Sequence, residues 1–335
     1  VAGVSDATGR QQLRGGVDLG GTKVLAVVVD GEGKVCGEAR LPTPKEAGPE
    51  GVVEAMAVAL ESAARLAGVG TEQLRGVGVG APGVSDVAAG TLAHARNVVA
   101  DWDAPFPLVA RLATRVGAPV TLGNDVQVAV QAEVVLGAGR GLSSLLGVWW
   151  GTGVGGGVVL GGEVWRGRGA AGELGHTLVK RGGPRCGCGR RGCLEAYAGR
   201  ASMERRARKE VGRGAVTKLF EMAEKRGVER LTSGIWERAY AKGDPLAVRL
   251  VHRAVRALGA GVASAVNLLD VQGVVLGGGM GARLGPALLP HLVAAMEPHL
   301  FVPERPPIVR ISELGDLAGA VGGALLADRA RPHVG

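Results

Sequence analysis

Three of the four cysteines sit within eight residues, at positions 186, 188 and 193, and a histidine lies ten positions upstream at 176. Three thiolates and one imidazole form a closed tetrahedral set suited to zinc. The Cys-x-Cys-x4-Cys spacing differs from that of common fingers. Four protein ligands leave no open position for a substrate water, so the expected zinc is structural. Its task would be to fix the loop, residues 172–196, that also carries Glu173 and Glu195. His176 can ligate through one ring nitrogen and offer the other to a substrate hydroxyl. Glu173 and His176 are three apart, so a helical or tight turn aims both to one side. Carboxylates and an imidazole with little aromatic surface suit a polyhydroxylated ligand. The remaining cysteine, Cys36, stands alone and is expected to be a buried thiol.

Two glycine segments suggest a second chemistry. In VDLGGTK, Gly20 and Gly21 allow close approach, Thr22 adds a hydroxyl and Lys23 a charge. Backbone N–H groups of such a turn can hold phosphate. Asp18, just before it, could orient a magnesium ion. GTG, with Thr152 and Gly153, is the matching loop of the second half. The Walker pattern is absent. GxGxxG is matched formally at 78–83 and 151–156, but neither copy leads from a strand into a helix, which counts against a nicotinamide oxidoreductase. Two phosphate-facing loops describe phosphoryl transfer without a P-loop; the alternative is a pair of tight β-turns. Transfer to a hydroxyl calls for a carboxylate near the attacking oxygen. Asn124-Asp125 follows a short strand and opens a helix. Asn124 can cap that helix, and the positive dipole end favours a charged Asp125. Capping alone is the plainer reading.

The elements that must hold these residues follow from pattern. Residues 13–35 read as strand, glycine turn, strand, tight turn, strand. A helix is expected over 49–67, a buried strand at 75–83 and a helix over 106–116. A strand at 120–122 then leads into a helix over 125–136. After a break near Gly137, residues 145–164 repeat the strand–glycine turn–strand theme. Helices are expected over 196–213, 214–227, 231–242 and 247–268. A strand at 273–279 follows, then a helix over 284–300, a strand at 307–311 and a closing helix. The repeat lies in architecture, not sequence. It predicts two α/β domains facing each other across a cleft, with ligands beyond the strand C-termini.

Composition bounds the rest. The chain has 335 residues, 46% hydrophobic and 21% charged, which affords sizeable cores and argues against disorder. Its 59 glycines have no three-residue period, so they serve turns and not a collagen. The net charge of +8 raises nucleic acid as a partner. The arginines are scattered, and the basic run 180–213 holds one aromatic, Tyr197, and is not interleaved with aromatics, so a solvated face or attraction to small anions is expected instead. Neither a signal peptide nor a membrane span is legible, and four cysteines do not make a secreted scaffold; a cytoplasmic protein is expected.

Taken together, VDLGGTK (17–23), GAPG (80–83), GND (123–125), GTGVGGG (151–157), ELGH (173–176), CGCGRRGCLEAYAGR (186–200) and VVLGGG (274–279) resemble the ROK family of sugar kinases and repressors, most closely its bacterial ATP-dependent glucokinases. The resemblance implies an actin-like, ribonuclease-H-type fold of two α/β domains, 13–136 and 137–314, with a C-terminal helix at 315–330 packing back on the first. It implies Asp125 as the base for a sugar 6-hydroxyl, and sugar contacts from Asn97, Asn124, Glu173, His176 and Glu195. It implies ATP phosphates near Gly20, Gly21, Thr22, Lys23, Thr152 and Gly153, the adenosine end near Gly278 and Gly279, magnesium-ATP as donor, and zinc as structural metal. It implies a homodimer or a homotetramer. Glucose is the expected substrate; mannose, fructose and N-acetylmannosamine are alternatives. Repressors carry a helix-turn-helix domain ahead of the first phosphate motif; with 17 residues before Asp18 in this sequence, a repressor is not expected. The sequence departs from the family pattern at Gln127, where asparagine is usual, in YAGR at 197–200, and in the longer stretch from Asn97 to Trp102.

Overall fold

Two five-stranded sheets of the same strand order carry the chain. The computed structural model describes residues 12–327. The polar, small residues 1–12 read from sequence as a loose tail; all but the last lie outside the described residues, as do 328–330 of the expected closing helix.

The first sheet begins with the Val-rich hairpin strands β1 (Arg14–Leu19), β2 (Lys23–Val29) and β3 (Val35–Pro42). Helix α1 (Gly48–Leu66) follows, then β4 (Val77–Ala81) and a small hairpin, β5 (Val84–Asp86) and β6 (Thr91–Ala93). Helix α2 (Leu108–Val116), β7 (Val120–Asn124) and α3 (Asp125–Leu136) complete the series. The order is β3-β2-β1-β4-β7. The first three strands pair antiparallel; β4 and β7 add parallel to β1.

The second sheet repeats this plan. It opens with β8 (Leu145–Trp150), β9 (Val154–Leu160) and β10 (Glu163–Trp165). Helices α4 (Glu195–Ala198), α5 (Arg200–Val211), α6 (Leu219–Glu224), α7 (Ser233–Ala241) and α8 (Pro245–Leu269) come next. The described residues close with β11 (Gly273–Gly277), α9 (Gly278–Met296), β12 (Ile308–Ile311) and α10 (Ala318–Leu326). The order β10-β9-β8-β11-β12 has the same pattern of three antiparallel and two parallel strands. A fully buried parallel strand needs apolar residues on both faces, which VVLG in β11 and VGVGA in β4 supply.

The chain divides into two compact units. One ends at Ala132, inside α3, and resumes at Leu317; the other runs Glu133–Asp316. Each has its own apolar core. Helix α10 belongs to the first unit and packs on β1 and β4. The approach is close enough that a Cβ at Gly16 would overlap the Ala320 carbonyl, and one at Gly78 the Gly323 carbonyl. Glycine in both strands is thus a packing requirement. The doubled sheet plan is that of the actin-like, ribonuclease-H-type fold.

Four local expectations differ from what is observed. The helix expected over 196–213 breaks at Gly199, whose extended ψ of 132° ends α4 and starts α5. Helix α9 starts six residues before the expected 284. Its first turns are glycine-rich, so no helical propensity announces them. Its buried residues Met280, Leu284, Leu288, Leu292 and Met296 still form an unbroken i+4 stripe. Hairpin β5–β6 was not expected. Cys36 is exposed, not buried, because it occupies the outer face of edge strand β3, its thiol 3.6 Å from the Lys34 carbonyl.

Candidate active site and metal centre

In the first unit, the parallel strands end in one row: Asp18 of β1 registers with Gly80 of β4, and Gly80 with Gly123 of β7. Spacing of ~4.8 Å per strand puts the outer members of that row about 10 Å apart. Asn124 and Asp125 come directly after it. The Asn124 side-chain oxygen accepts the Val126 and Gln127 N–H groups, both at 3.1 Å, so it caps α3. Its amide N–H₂ is left for other use. The cap holds Asp125 in the first turn of α3, at the positive end of the helix dipole. Asp125 Oδ1 accepts the Val126 N–H at 2.9 Å.

The first glycine turn is closed by the Gly20 N–H donating to the Lys23 carbonyl at 2.9 Å. A Cβ at Gly21 would overlap the Asn97 carbonyl oxygen, so glycine there lets the turn lie directly on the Asn97 segment. The Asp18 carboxylate lies under Gly319, in the first turn of α10. Trp102 is buried, donates to the Leu92 carbonyl at 3.1 Å, and meets Phe106 edge-on at 5.6 Å. The Asn97–Trp102 stretch is therefore anchored at its tryptophan end. Asp18, Gly20, Gly21, Thr22, Lys23, Asn97, Asn124 and Asp125 all lie in this unit.

In the second unit, the Gly151 N–H donates to the Gly153 carbonyl at 3.0 Å and closes the second glycine turn. Gly278 has φ +79° and rests on the Trp150 backbone, 2.7 Å from would-be Cβ to carbonyl oxygen, which brings the start of α9 beside this turn. Thr152, Gly153, Gly278 and Gly279 are thereby gathered. Glu195, at the start of α4, reaches the same turn, its Oε2 accepting the Val154 N–H at 3.0 Å. Its Oε1 lies 3.7 Å from the Cys186 thiol. Glu195 therefore ties the cysteine loop to the glycine turn.

The cysteine loop is a braced hairpin, with bridges pairing Leu178 with Cys193 and Arg185 with Arg191. The donor atoms of His176, Cys186, Cys188 and Cys193 all lie within 4.8 Å of one another. Cys188 Sγ is 3.7 Å from Cys193 Sγ, and Cys186 Sγ is 3.7 Å from His176 Nδ1. Zn–S bonds of about 2.3 Å give a tetrahedral edge of about 3.8 Å, so these separations fit a tetrahedral ion. The ligand chemistry agrees. The Arg190 guanidinium, hydrogen-bonded to Cys188, pulls that thiol down to about 6. Burial pushes Cys186 up to about 12 and also raises Cys193. Two buried neutral thiols beside a thiolate are what a cation would ionise. His176 Nδ1 faces the cysteines, and Nε2 lies 4.0 Å from Glu173 Oε2. A short 3-10 turn, Leu174–His176, aims both side chains to one side. An ion here would supply cross-linking of the loop, since all four positions are protein ligands.

Sequence reasoning passed over Arg200. Its Nη2 donates to Thr152 Oγ1 at 2.7 Å and its Nη1 to the Leu231 carbonyl at 2.7 Å. The only signal was the YAGR departure itself. Two arginines of the basic run are held in ion pairs: Arg206 shares Glu210 with Arg249, and Arg208 shares Glu204 with Arg230. Among the described residues no helix is long and apolar enough to cross a membrane.

Two units of one sheet plan, each with a glycine turn between its first two strands, define the actin-like class of α/β proteins. Within that class the chain belongs to the ROK family, which it matches over residues 14–330. It is 40% identical to the ROK hexokinase from Thermus thermophilus, whose crystal structure superposes with a TM-score of 0.77 over 95% of this chain and 98% of that one. It is 34% identical to a ROK glucokinase from Streptomyces griseus crystallised with glucose and AMPPNP, with a TM-score of 0.80 over 95% of this chain and all of the other. It is also 31% identical to an N-acetylmannosamine kinase from Escherichia coli, over 93% of this chain and 97% of the relative.

Proposed function

We propose that this protein is a sugar kinase that transfers the γ-phosphoryl group of magnesium-ATP to the 6-hydroxyl of glucose. Asp125 is the general base. It accepts the hydroxyl proton as the sugar oxygen attacks phosphorus, an O–P bond forms, and the bond to the bridging oxygen breaks to release ADP. The observation that carries the reading is the Asn124 cap on α3. It holds a carboxylate at a helix N-terminus, where the charged, proton-accepting form is favoured. Asn97, Asn124, Glu173, His176 and Glu195 are assigned to the sugar hydroxyls. Asp18 is assigned to the magnesium ion, and Gly20, Gly21, Thr22, Lys23, Thr152 and Gly153 to the phosphates. Gly278 and Gly279 are assigned to the adenosine end. Zinc on His176, Cys186, Cys188 and Cys193 keeps the sugar-binding loop in shape. The glucose and AMPPNP of the Streptomyces griseus glucokinase crystal support this choice of substrates.

A second reading, N-acetylmannosamine as acceptor, draws on the Escherichia coli relative. The reaction and the assigned base are common to both readings. Steady-state kinetics of Asp125→Asn test the base: turnover is expected to fall about 100-fold or more, with sugar affinity largely kept. Near-normal turnover would remove Asp125 from the role.

A further inference from the structure

Arg200 opens α5 directly after the Gly199 break, and its backbone is joined to the second glycine turn. Its N–H donates to the Gly151 carbonyl at 3.1 Å, and the Ala201 N–H donates to the Thr152 carbonyl at 3.0 Å. The side chain folds back onto the same turn. Nη2 donates to Thr152 Oγ1, while Nη1 is held by the Leu231 carbonyl, both at 2.7 Å. Three hydrogen bonds thus join Arg200 and Ala201 to residues 151–153, and a fourth, to Leu231, holds the other guanidinium nitrogen.

The charge of that guanidinium is not neutralised locally. Among the described residues, no carboxylate lies within ion-pair distance of Arg200. Glu204 acts on it electrostatically, but this acid is already bridged by Arg208 at 2.8 Å and Arg230 at 3.1 Å. Two guanidiniums therefore already share that carboxylate. Burial, with the help of Arg230, holds the Arg200 pKa below the usual arginine range, yet arginine stays charged in proteins. A half-buried cation without a counterion is costly unless an anion joins it.

The hydroxyl of Thr152 points the same way. Its oxygen accepts the Arg200 N–H, so its own proton must be directed elsewhere. Among the described residues nothing accepts that proton. Polarisation by the guanidinium strengthens it as a donor. Two of the five N–H donors of Arg200 are committed to the protein. The others, with the Thr152 hydroxyl, form a donor group of the kind that matches phosphate oxygens.

We propose that Arg200 is a phosphate-binding residue, gripping a nucleoside triphosphate together with the Thr152 hydroxyl at the 151–153 turn. The inference rests on the nucleotide reading above and adds a residue to it. Calorimetric titration of magnesium-AMPPNP and of adenosine into wild type, Arg200→Met and Arg200→Lys tests it without any sugar. Loss of charge-assisted hydrogen bonds should weaken AMPPNP binding to Arg200→Met on the order of 10- to 100-fold. Adenosine affinity should stay unchanged, and Arg200→Lys should fall between. Equal losses for both ligands would mean a purely structural arginine and would overturn the proposal, as would unchanged AMPPNP affinity. If Arg200→Met does not fold, Thr152→Val should show the same selective loss for AMPPNP, and its absence also overturns the proposal. Wild type that binds AMPPNP no more tightly than adenosine defeats it whatever the sugar assays show. Absent sugar turnover with this selectivity intact defeats only the hexose reading.

Discussion

Cys188 and Cys186 share a loop but differ sharply as ligands. One is exposed and drawn to about 6 by Arg190; the other is buried and pushed to about 12. A loop with two buried thiols and a half-buried imidazole gains more from a cation than from any pairing among themselves. Purified wild type is therefore expected to hold about one zinc per chain by metal analysis. Cys188→Ser should lose most of it and raise the KM for the sugar more than the KM for ATP, because Glu173 and His176 lie on the loop that the ion would brace. Metal-free wild type with normal sugar kinetics would remove zinc from the account. The clustering of His176, Cys186, Cys188 and Cys193 was the most legible part of the chain, since these residues are chemically distinctive and close in sequence. Arg200 was not legible: an arginine in an arginine-rich run carries no mark until its hydrogen bonds are known.

At the scale of elements, two buried carboxylates do structural work. Glu133 is fully buried in α3. It accepts from the Ala138 N–H at 2.8 Å, the Ser312 hydroxyl at 2.5 Å, and the Glu313 and Leu314 N–H groups at 3.1 and 2.9 Å. It thus ties the end of α3 to the segment after β12. Glu133→Ala leaves those donors unpaired and should cost about 3 kcal/mol or more in urea unfolding; a change under about 1 kcal/mol would show that water replaces the carboxylate. Glu204 on α5 is the second. Burial alone would raise its pKa, but Arg208, Arg230 and the Leu231 N–H outweigh that and hold it below the usual carboxylate range. A depressed folded pKa stabilises above the unfolded value, near 4.5, and that stability is lost as pH falls through the folded value. Glu204→Gln should therefore be less stable than wild type at pH 7, and the gap should narrow as pH falls below about 4.5. A gap independent of pH would refute this. Most strands and helices were legible from alternation and periodicity. The start of α9 was hidden because Gly278, Gly279, Gly281 and Gly285 erase helical propensity while permitting close packing. Gly281 and Gly285 face Leu276 and Ile311 with almost no space for a Cβ.

For the whole molecule, the repeated sheet plan was legible as two strand–glycine turn–strand themes, though the sequences of the halves do not align. What repeats is the set of backbone requirements: a tight turn, a parallel strand buried on both faces, and a glycine where another backbone crosses. Many sequences meet those demands, so architecture outlasts similarity. The fold does not choose a substrate. The same family holds kinases named for glucose and for N-acetylmannosamine at similar distance from this chain. Stereochemical choice resides in a few hydrogen bonds whose mismatch can cost about 10⁴-fold.

The central claim is phosphoryl transfer from magnesium-ATP to glucose. A coupled assay of ADP release measures it most directly, run over glucose, mannose, fructose, N-acetylmannosamine and N-acetylglucosamine with the zinc-replete protein. The account predicts sugar-dependent ADP release with the highest kcat/KM on glucose. A higher kcat/KM on N-acetylmannosamine would transfer the same machinery to the second reading, and no sugar-dependent release on any of the five would contradict the account.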